Sequence, residues 1–368
     1  MPSVGLLKPF PPYMEFTMNA RSDAACFVGV DLHKDTLVAC TIAAKDREVS
    51  YRKIACVARE KVREFLADLP RPSVVAIESV GFYRWLWTEA EPIVDQVVLA
   101  DARGCRALAG RRIKTDREDA FNVAELLMTG RLPTAWAPPN HIQRLRDLTR
   151  HRNGLSRDHA KTLHRVKSIM NRLNRPGPAR MDAAGLQRYL LASVERIEAD
   201  DLMMLWQHQR RLVEVEQDRS AIERRIIDVM RAEEFRRLRE ILESIPGVGL
   251  VTAATAIAEI GDFSRFPDAK AIGRYAGLTP TGYSSADKHR LGRICKTGSP
   301  DLRWVLQQAA WTAIRCEPAF KKVASKISKG SKTRKKAAAV AVARKLLVLM
   351  WTLVRKDEPY KAREPIAA

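Results

Sequence analysis

The chain has 368 residues, and 46% of them are hydrophobic, so it is long enough for two or three domains with real cores and too apolar to be wholly disordered. It carries 64 Lys and Arg against 43 Asp and Glu, and the formal net charge of +21 predicts a polyanionic partner, most often nucleic acid. A basic structural protein, such as a ribosomal one, is the alternative, although such proteins are usually shorter and less apolar.

Neither a membrane span nor an exported protein is expected. The longest strongly apolar run, residues 346–354, is about half as long as a bilayer crossing requires and lies between basic residues. Pro9, Pro11 and Pro12 interrupt the apolar core that a signal peptide needs. The six cysteines are scattered without a CxxC pair, which predicts reduced thiols in a cytoplasm and no structural zinc site.

The N-terminal part is predicted to be a disordered tail over residues 1–25 and a mixed α/β domain over residues 26–130. Its apolar runs predict a helix at 59–69 and strands at 27–31, 36–43, 48–57, 73–77 and 96–100. The first three strands follow one another through turns, which predicts an antiparallel meander. The later strands alternate with helices, which predicts parallel pairing.

Residues 131–240, which begin at a cluster of prolines, are predicted to be a basic helical and coiled-coil region. Residues 144–180 contain eleven Lys or Arg against two acids, too one-sided for an ordinary solvated helix face, so contacts with a nucleic-acid backbone are expected there. From residue 202 to 230 apolar residues recur with the three–four alternation of a short coiled coil. A hairpin within one chain and a seam between two copies both satisfy this pattern.

Residues 241–368 are predicted to form a third, mostly helical domain. Residues 245–249, with the sequence Ile-Pro-Gly-Val-Gly, lie between two helical stretches and predict a helix–hairpin–helix-like turn, whose free backbone N–H groups suit a phosphate. The tail 321–345 contains ten Lys or Arg and no acid, and it is the second expected site of contacts with a nucleic-acid backbone.

Four carboxylates carry the clearest chemical signal. Asp31 and Glu78 each end a predicted strand, where α/β proteins place ligand chemistry, although an acid there is also a common turn or cap residue. Asp116 and Asp119 lie on one helix face, and Thr115 or Asp116 is a candidate cap for that helix. Together the four suit two Mg²⁺ ions, which clamp the attacking and leaving oxygens of a phosphodiester exchange. The spacing therefore favours a metal-dependent nuclease.

Basic residues accompany these acids, and others accompany a serine segment further along. No acid lies between residues 102 and 115, and the cations there suit a phosphate backbone delivered to metal, among them Arg111, Arg112 and Lys114. Ser284 and Ser285 are also followed by basic residues that would surround a serine nucleophile with positive charge, among them Arg293, Lys296 and Arg303. Serines in loops near arginines are nevertheless mostly turn residues.

Five segments, taken in order, give the chain a resemblance to a known family. They are Val28-Gly29-Val30-Asp31 with Lys34-Asp35, Ile77-Glu78, Lys114-Thr115-Asp116-Arg117-Glu118-Asp119-Ala120, Gly277-Leu278-Thr279-Pro280 through Leu302-Arg303, and Arg344-Lys345-Leu346-Leu347. The chain resembles the DEDD-type transposases of bacterial insertion sequences, in the group numbered one-hundred-and-ten, which are described as bridge-RNA-guided recombinases. The resemblance covers nearly everything from residue 28 to about residue 360.

The resemblance implies a RuvC-like N-terminal domain with an RNase H fold, a coiled-coil link and a C-terminal transposase domain. It implies that Mg²⁺ is bound by the tetrad of Asp31, Glu78, Asp116 and Asp119, and that a serine of the C-terminal domain becomes covalently joined to DNA. It also implies a structured guide RNA that pairs with donor and target DNA. The enzyme would be a homo-oligomer, a dimer or a tetramer, in the bacterial cytoplasm at the nucleoid.

The serine segment departs from the family in one place. The family often has Ser-Gly where this chain has Ser285-Ala286, and an alanine there restricts the turn. Ser285 is the candidate nucleophile because it occupies the place before that glycine, and Ser284 is the alternative.

Three functions are considered on this basis, and a site-specific DNA recombinase with a covalent serine intermediate is favoured. A RuvC-like nuclease that hydrolyses branched DNA would not need the C-terminal domain. A catalytically silent RNA- or DNA-binding protein would usually lack one acid of the tetrad.

Overall fold

A computed structural model describes residues 21, 23–108, 115–285 and 288–362, and it describes the backbone alone for residues 282–291. The chain divides into two compact units, Met1–Ala137 and Pro138–Ala368. The division falls within the cluster of prolines where the sequence changes in composition. The further boundary expected at residue 240 stays a prediction.

The first unit is built on a five-stranded mixed sheet with the strand order β3-β2-β1-β4-β5. Its strands are β1 (Cys26–Leu32), β2 (Thr36–Ala43), β3 (Val49–Ala55), β4 (Ser73–Glu78) and β5 (Gln96–Ala100). The pairs β1–β2 and β2–β3 are antiparallel, whereas β1–β4 and β4–β5 are parallel. The predicted meander and the predicted parallel pairing are both confirmed, and this sheet is compatible with an RNase H-like domain.

Helices cover both faces of the sheet: α1 (Arg59–Ala67), α2 (Arg84–Ala90), α3 (Ala102–Leu108) and α4 (Asp116–Met128). Because strand side chains alternate between faces, Val28 and Val30 share one core with α1 and α2. On the opposite face Val38 and Cys40 of β2 pack against Ala120 of α4. Residues Gly29 and Asp31 therefore belong to the α4 face.

Gly29 sets how closely α4 approaches the sheet. A Cβ atom at this position would lie 2.3 Å from the carbonyl oxygen of Ala120 and 2.4 Å from the backbone nitrogen of Ala124. Both neighbours are backbone atoms of α4, so no side-chain movement can make room for a methyl group. The glycine in the first motif thus allows α4 to pack directly on β1.

The second unit begins with a helical hairpin, formed by α5 (Asn140–Arg172) and α7 (Ala199–Met230), with α6 (Ala183–Leu191) between them. Three ion pairs show that α5 and α7 run antiparallel: Arg152–Glu223, His159–Glu216 and Arg172–Asp201. Their interface buries Val166, Met170, Leu205 and Leu212. The repeat over residues 202–230 is therefore used within one chain, and a seam with a second copy stays a prediction.

The rest of the second unit is mostly helical, as expected. Its elements are α8 (Glu233–Glu243), α9 (Leu250–Ile260), α10 (Ala269–Tyr275), β6 (Pro280–Ser285), β7 (Lys288–Ile294), α11 (Pro300–Cys316), α12 (Pro318–Ser328) and α13 (Lys335–Lys356). The turn at 245–249 joins α8 to α9, as predicted. The antiparallel β6–β7 hairpin was not predicted, because its strands are rich in Gly, Ser, Lys and Arg and lack an apolar alternation.

By length and composition alone, the stretch Lys332–Lys356 is apolar enough to cross a membrane. In the fold it is a core helix, because Val342, Leu346 and Met350 of α13 are completely buried inside the second unit. The indole N–H of Trp351 also donates to the carbonyl oxygen of Phe266 at 3.2 Å. A partly buried helix of this kind is typical of a globular core.

Part of the basic stretch 144–180 has a structural role, and the nucleic-acid contacts expected there stay a prediction. Arg150 donates to both carboxylate oxygens of Glu259 on α9, at 2.7 and 3.0 Å, and Arg157 donates to Asp301 on α11 at 2.7 Å. Arg146 is itself buried and donates to the carbonyl oxygen of Ala258 at 2.9 Å. A large part of this positive charge therefore holds α5 to its neighbours.

Candidate active site

Two acids lie on adjacent strands at one edge of the first unit's sheet. Asp31 is 5% exposed near the end of the central strand β1, and Glu78 is the half-buried last residue of β4. Val30 is paired with Ile77 in the parallel ladder. Asp31 and Glu78 directly follow this pair, so they lie side by side on adjacent strands. Strand alternation places both on the face that carries α4.

Two further acids come from the first turn of α4. The hydroxyl oxygen of Thr115 accepts a hydrogen bond from the backbone N–H of Glu118 at 3.2 Å, which identifies Thr115 as the N-cap. Asp116 is therefore the first helical residue rather than the cap, and its carboxylate is available for another partner. Asp119 follows one turn later, and the close packing at Gly29 brings this end of the helix beside β1.

His33 lies between Asp31 of β1 and Asp116 of α4. Its Nε2 is 3.0 Å from Oδ2 of Asp31 and 3.3 Å from Oδ1 of Asp116. One ligand atom from each of these three residues lies within 4.8 Å of the others. Sequence analysis placed His33 in a turn and assigned it no role, although its position two residues after Asp31 was the available signal.

The charges that act on Asp31 include those of the other three predicted acids. Burial raises the pKa of the Asp31 carboxyl, and the charges of Glu78, Asp119 and Asp116 raise it further, whereas His33 lowers it. Gathering carboxylates in this way is unfavourable unless a cation compensates them. The donor set of carboxylate oxygens, with one imidazole beside it, suits a divalent cation such as Mg²⁺ or Mn²⁺.

Asp101 shows the contrasting behaviour of an acid after a strand. It follows β5, and its carboxylate accepts hydrogen bonds from the backbone N–H groups of Arg103 at 3.3 Å and Gly104 at 3.2 Å. It therefore caps α3, which is the common structural role of an acid that follows a strand. Position at a strand end alone does not make a ligand.

The basic residues predicted beside the acids, Arg111, Arg112 and Lys114, lie outside the described residues. Ser285 is the last residue of β6, where it is paired with Lys288, and Ser284 is paired with His289. Only the backbone of these positions is described, and Ala286 lies outside the described residues. The serine segment belongs to the second unit and the four acids to the first.

Two loops hold the base of the serine hairpin. A Cβ atom on Gly298 would lie 1.8 Å from the carbonyl oxygen of Tyr275, so the chain segments touch backbone to backbone. Arg303 donates through Nη1 to the carbonyl oxygens of Gly298 at 2.6 Å and Ala276 at 3.2 Å, and burial lowers its pKa. Arg303 was predicted to bind phosphate, and its Nη1 holds two segments of the chain together. The other two predicted phosphate-binding residues of this segment, Arg293 and Lys296, are exposed.

Comparison with known proteins identifies similar sequences over most of the chain. A family model for the DEDD transposases of the IS110 type matches residues 28–174, which include all four acids. A second model, described as the transposase IS116/IS110/IS902 family, matches residues 239–325, which include the serine hairpin. The two models match in the order in which the two units occur.

Individual relatives agree with the family models. A "probable family 20 transposase" of Pseudomonas aeruginosa is 24% identical over 344 residues, covering 91% of this chain and 98% of the relative. The pilin gene-inverting protein of Moraxella bovis is 33% identical over 132 residues, covering 35% of this chain and 41% of the relative. The transposase for insertion sequence element IS1111A of Coxiella burnetii is 32% identical over 128 residues, covering 33% of this chain and 34% of the relative.

Proposed function

The chain belongs to the IS110 family of DNA transposases, and from that premise we propose a site-specific recombinase that cuts and rejoins DNA through a covalent phosphoserine at Ser285. The observation that carries the proposal is the gathering of acids from β1, β4 and α4 near Asp31, with His33 between Asp31 and Asp116. Such a cluster is costly to build without a cation. We assign it to the cleavage step.

Asp31, Glu78, Asp116 and Asp119 would hold the divalent cations, two Mg²⁺ per site in our proposal. Bound there, Mg²⁺ supplies charge neutralisation at the scissile phosphate and lowers the pKa of a nearby hydroxyl. The buried Asp31 fixes the centre to the sheet, whereas the half-exposed Asp116 faces solvent from which DNA enters. His33 orients both carboxylates through its Nε2.

The serine step conserves the phosphodiester bond that rejoining requires. The Ser285 oxygen forms an ester with the phosphorus while one bridging P–O bond breaks. The serine proton is released, and the departing DNA end gains a proton and leaves as a hydroxyl. Exposed Arg293 and Lys296, in the same segment as Ser285, would offset the charge that develops on the phosphate.

We also propose a structured guide RNA that selects donor and target DNA, and a homo-oligomer, dimer or tetramer, that acts in the bacterial cytoplasm at the nucleoid. Family membership supports these parts. Because the acids and Ser285 belong to different units, one site is allowed to combine residues from two subunits.

The experiment is to trap the cleaved complex and map the protein–DNA adduct by peptide mass spectrometry. We expect an adduct on Ser285 in the native enzyme, none in Ser285→Ala, and none in Asp119→Asn, which should still bind DNA and RNA. Ser284→Ala is the matched control and should retain the adduct.

An adduct on Ser284 would move the nucleophile by one residue. If the double variant Ser284→Ala, Ser285→Ala recombined DNA normally, the serine mechanism would be wrong. If that variant still cut DNA but could not rejoin it, a metal-dependent nuclease that uses water would be the remaining function. Unchanged recombination in Asp119→Asn would contradict the metal centre.

A further inference from the structure

A cleft opens beside the acidic centre, between the exposed edge strand β3 and the first turn of α4. Its volume is about 460 Å³, and its lining includes Tyr51, Arg52, Lys53, Asp116 and Arg117. Asp116 is thus shared between this cleft and the acidic centre. A ligand in the cleft would reach the carboxylates directly.

The charge of the cleft is positive. Arg52, Lys53 and Arg117 line it together with one acid, Asp116, and all three cations are exposed. Among the ion pairs formed within the described ranges, none involves these three cations. Unpaired cations grouped beside a phosphoryl-transfer centre are suited to a phosphate backbone.

The cleft also contains an aromatic ring. Strand pairing sets Tyr51 opposite Cys40 and Lys53 opposite Val38, so both side chains lie on the face of the sheet that carries α4. Tyr51 is 39% exposed, although it is a large aromatic residue, and the guanidinium carbon of Arg117 lies 5.4 Å from its ring centroid. An exposed ring beside cations is the pattern by which proteins hold single-stranded nucleic acid.

We propose that this cleft binds the single-stranded DNA next to the scissile phosphate, with a base stacked on Tyr51 and flanking phosphates held by Lys53 and Arg117. This inference deepens the proposed function and rests on it, because it identifies the substrate of the same centre as unpaired DNA. Tyr51, Lys53 and Arg117 are positioning residues: they fix the strand so that one phosphodiester meets the carboxylates.

The test uses full-length Ser285→Ala protein with Mg²⁺, so that bound DNA stays uncut. Short single-stranded DNA carrying 5-iodouracil is photocrosslinked, and the linked peptide is mapped by mass spectrometry. We expect a crosslink at Tyr51 in this protein and at residue 51 in the Tyr51→Phe variant, which keeps the ring. Arg117→Gln should reduce its yield, whereas Lys45→Gln, an exposed lysine at the far turn of the β2–β3 hairpin, should not.

Affinity measured against salt separates stacking from charge. Tyr51→Ala should weaken binding about tenfold at every salt concentration, because stacking is not ionic. Lys53→Gln should instead reduce the log–log salt slope by about 0.7, the value for one phosphate of a single strand. Thermal unfolding of each variant checks that the sheet edge is intact.

Crosslinks that avoid residue 51, or a Tyr51→Ala variant with native affinity, would overturn the proposal. So would crosslinking confined to RNA of the same sequence. These outcomes do not depend on the serine chemistry, because the protein used for crosslinking already lacks Ser285. The serine chemistry is tested separately, and the absence of an adduct in the native enzyme would contradict it.

Discussion

Two basic stretches of the second unit have nearly the same number of Lys and Arg residues and different environments. The stretch 144–180 has eleven Lys or Arg, and several of them are bound to acids or carbonyl groups of α7, α9 and α11. The stretch 321–345 has ten. Among the ion pairs of the described residues, none involves this second set, and nine of its ten cations are exposed.

The difference shows that a run of positive charge in the sequence does not reveal whether its cations are paired within the fold or left exposed. The acids that meet α5 are distant in sequence: Glu223, Glu259 and Asp301. A solvated cation costs nothing to leave unpaired, whereas one that packs against a helix needs a partner. The three predictions that follow test this comparison.

The largest effect is expected from Arg150→Ala. Glu259 is 2% exposed, and the substitution leaves its carboxylate buried without its charged partner. We expect the free energy of unfolding to fall by about 2 to 3 kcal/mol, below the loss for a fully buried pair because Arg150 is half-exposed. Urea unfolding measures it, and the double variant Arg150→Ala, Glu259→Leu should recover part of the loss. A loss below about 0.5 kcal/mol would mean that this pair has a surface role.

An intermediate effect, on binding rather than stability, is expected from neutralising the exposed cations of the second stretch. The triple variant Lys332→Gln, Lys335→Gln, Lys336→Gln should reduce the log–log salt slope for duplex DNA by about 0.9 for each lysine that contacts a phosphate. Its unfolding free energy should change by less than about 0.5 kcal/mol.

The matched control for that variant removes the same charge from α5, through Arg150→Gln, Arg152→Gln and Arg157→Gln. It should lower stability and leave the salt slope nearly unchanged. The opposite pattern in the two triple variants would reverse the assignment of the two stretches.

The smallest effect is expected at an exposed pair on α5. Lys161 Nζ lies 3.1 Å from Oδ1 of Asp158, and both side chains are more than half exposed. Asp158→Asn should therefore change the unfolding free energy by less than about 0.5 kcal/mol. A loss comparable to that of Arg150→Ala would show that solvent exposure does not separate structural from dispensable pairs in this helix.

Much of the acidic centre was predictable because each acid belongs to a local pattern. Asp31 and Glu78 end apolar runs, and Asp116 and Asp119 share a helical turn. The direction of strand pairing was predictable too, because strands joined by turns pair antiparallel and strands that alternate with helices pair parallel. What the local pattern leaves open is whether the strand ends and the helix meet, and that depends on the backbone contact at Gly29.

Other features depend on contacts between residues distant in sequence and were not predictable. The bridge formed by His33 needs Asp116 brought to it by α4, and the role of Arg303 needs two carbonyl groups from separate loops. The β6–β7 hairpin has no apolar alternation to reveal it. Sequence patterns identify elements and their faces, whereas these features arise only when the elements pack.

The contact at Gly29 fixes how α4 packs on β1, and so it fixes the backbone on both sides of the acidic centre. Backbone atoms of α4 and β1 define the gap between the helix acids and the strand acids, so side-chain rearrangements in the surrounding core leave that gap unchanged. The distance between the helix acids and the strand acids is therefore set by the backbone. The sequence around it is free to vary in volume, while the separation of the carboxylates stays the same as long as residue 29 lacks a side chain.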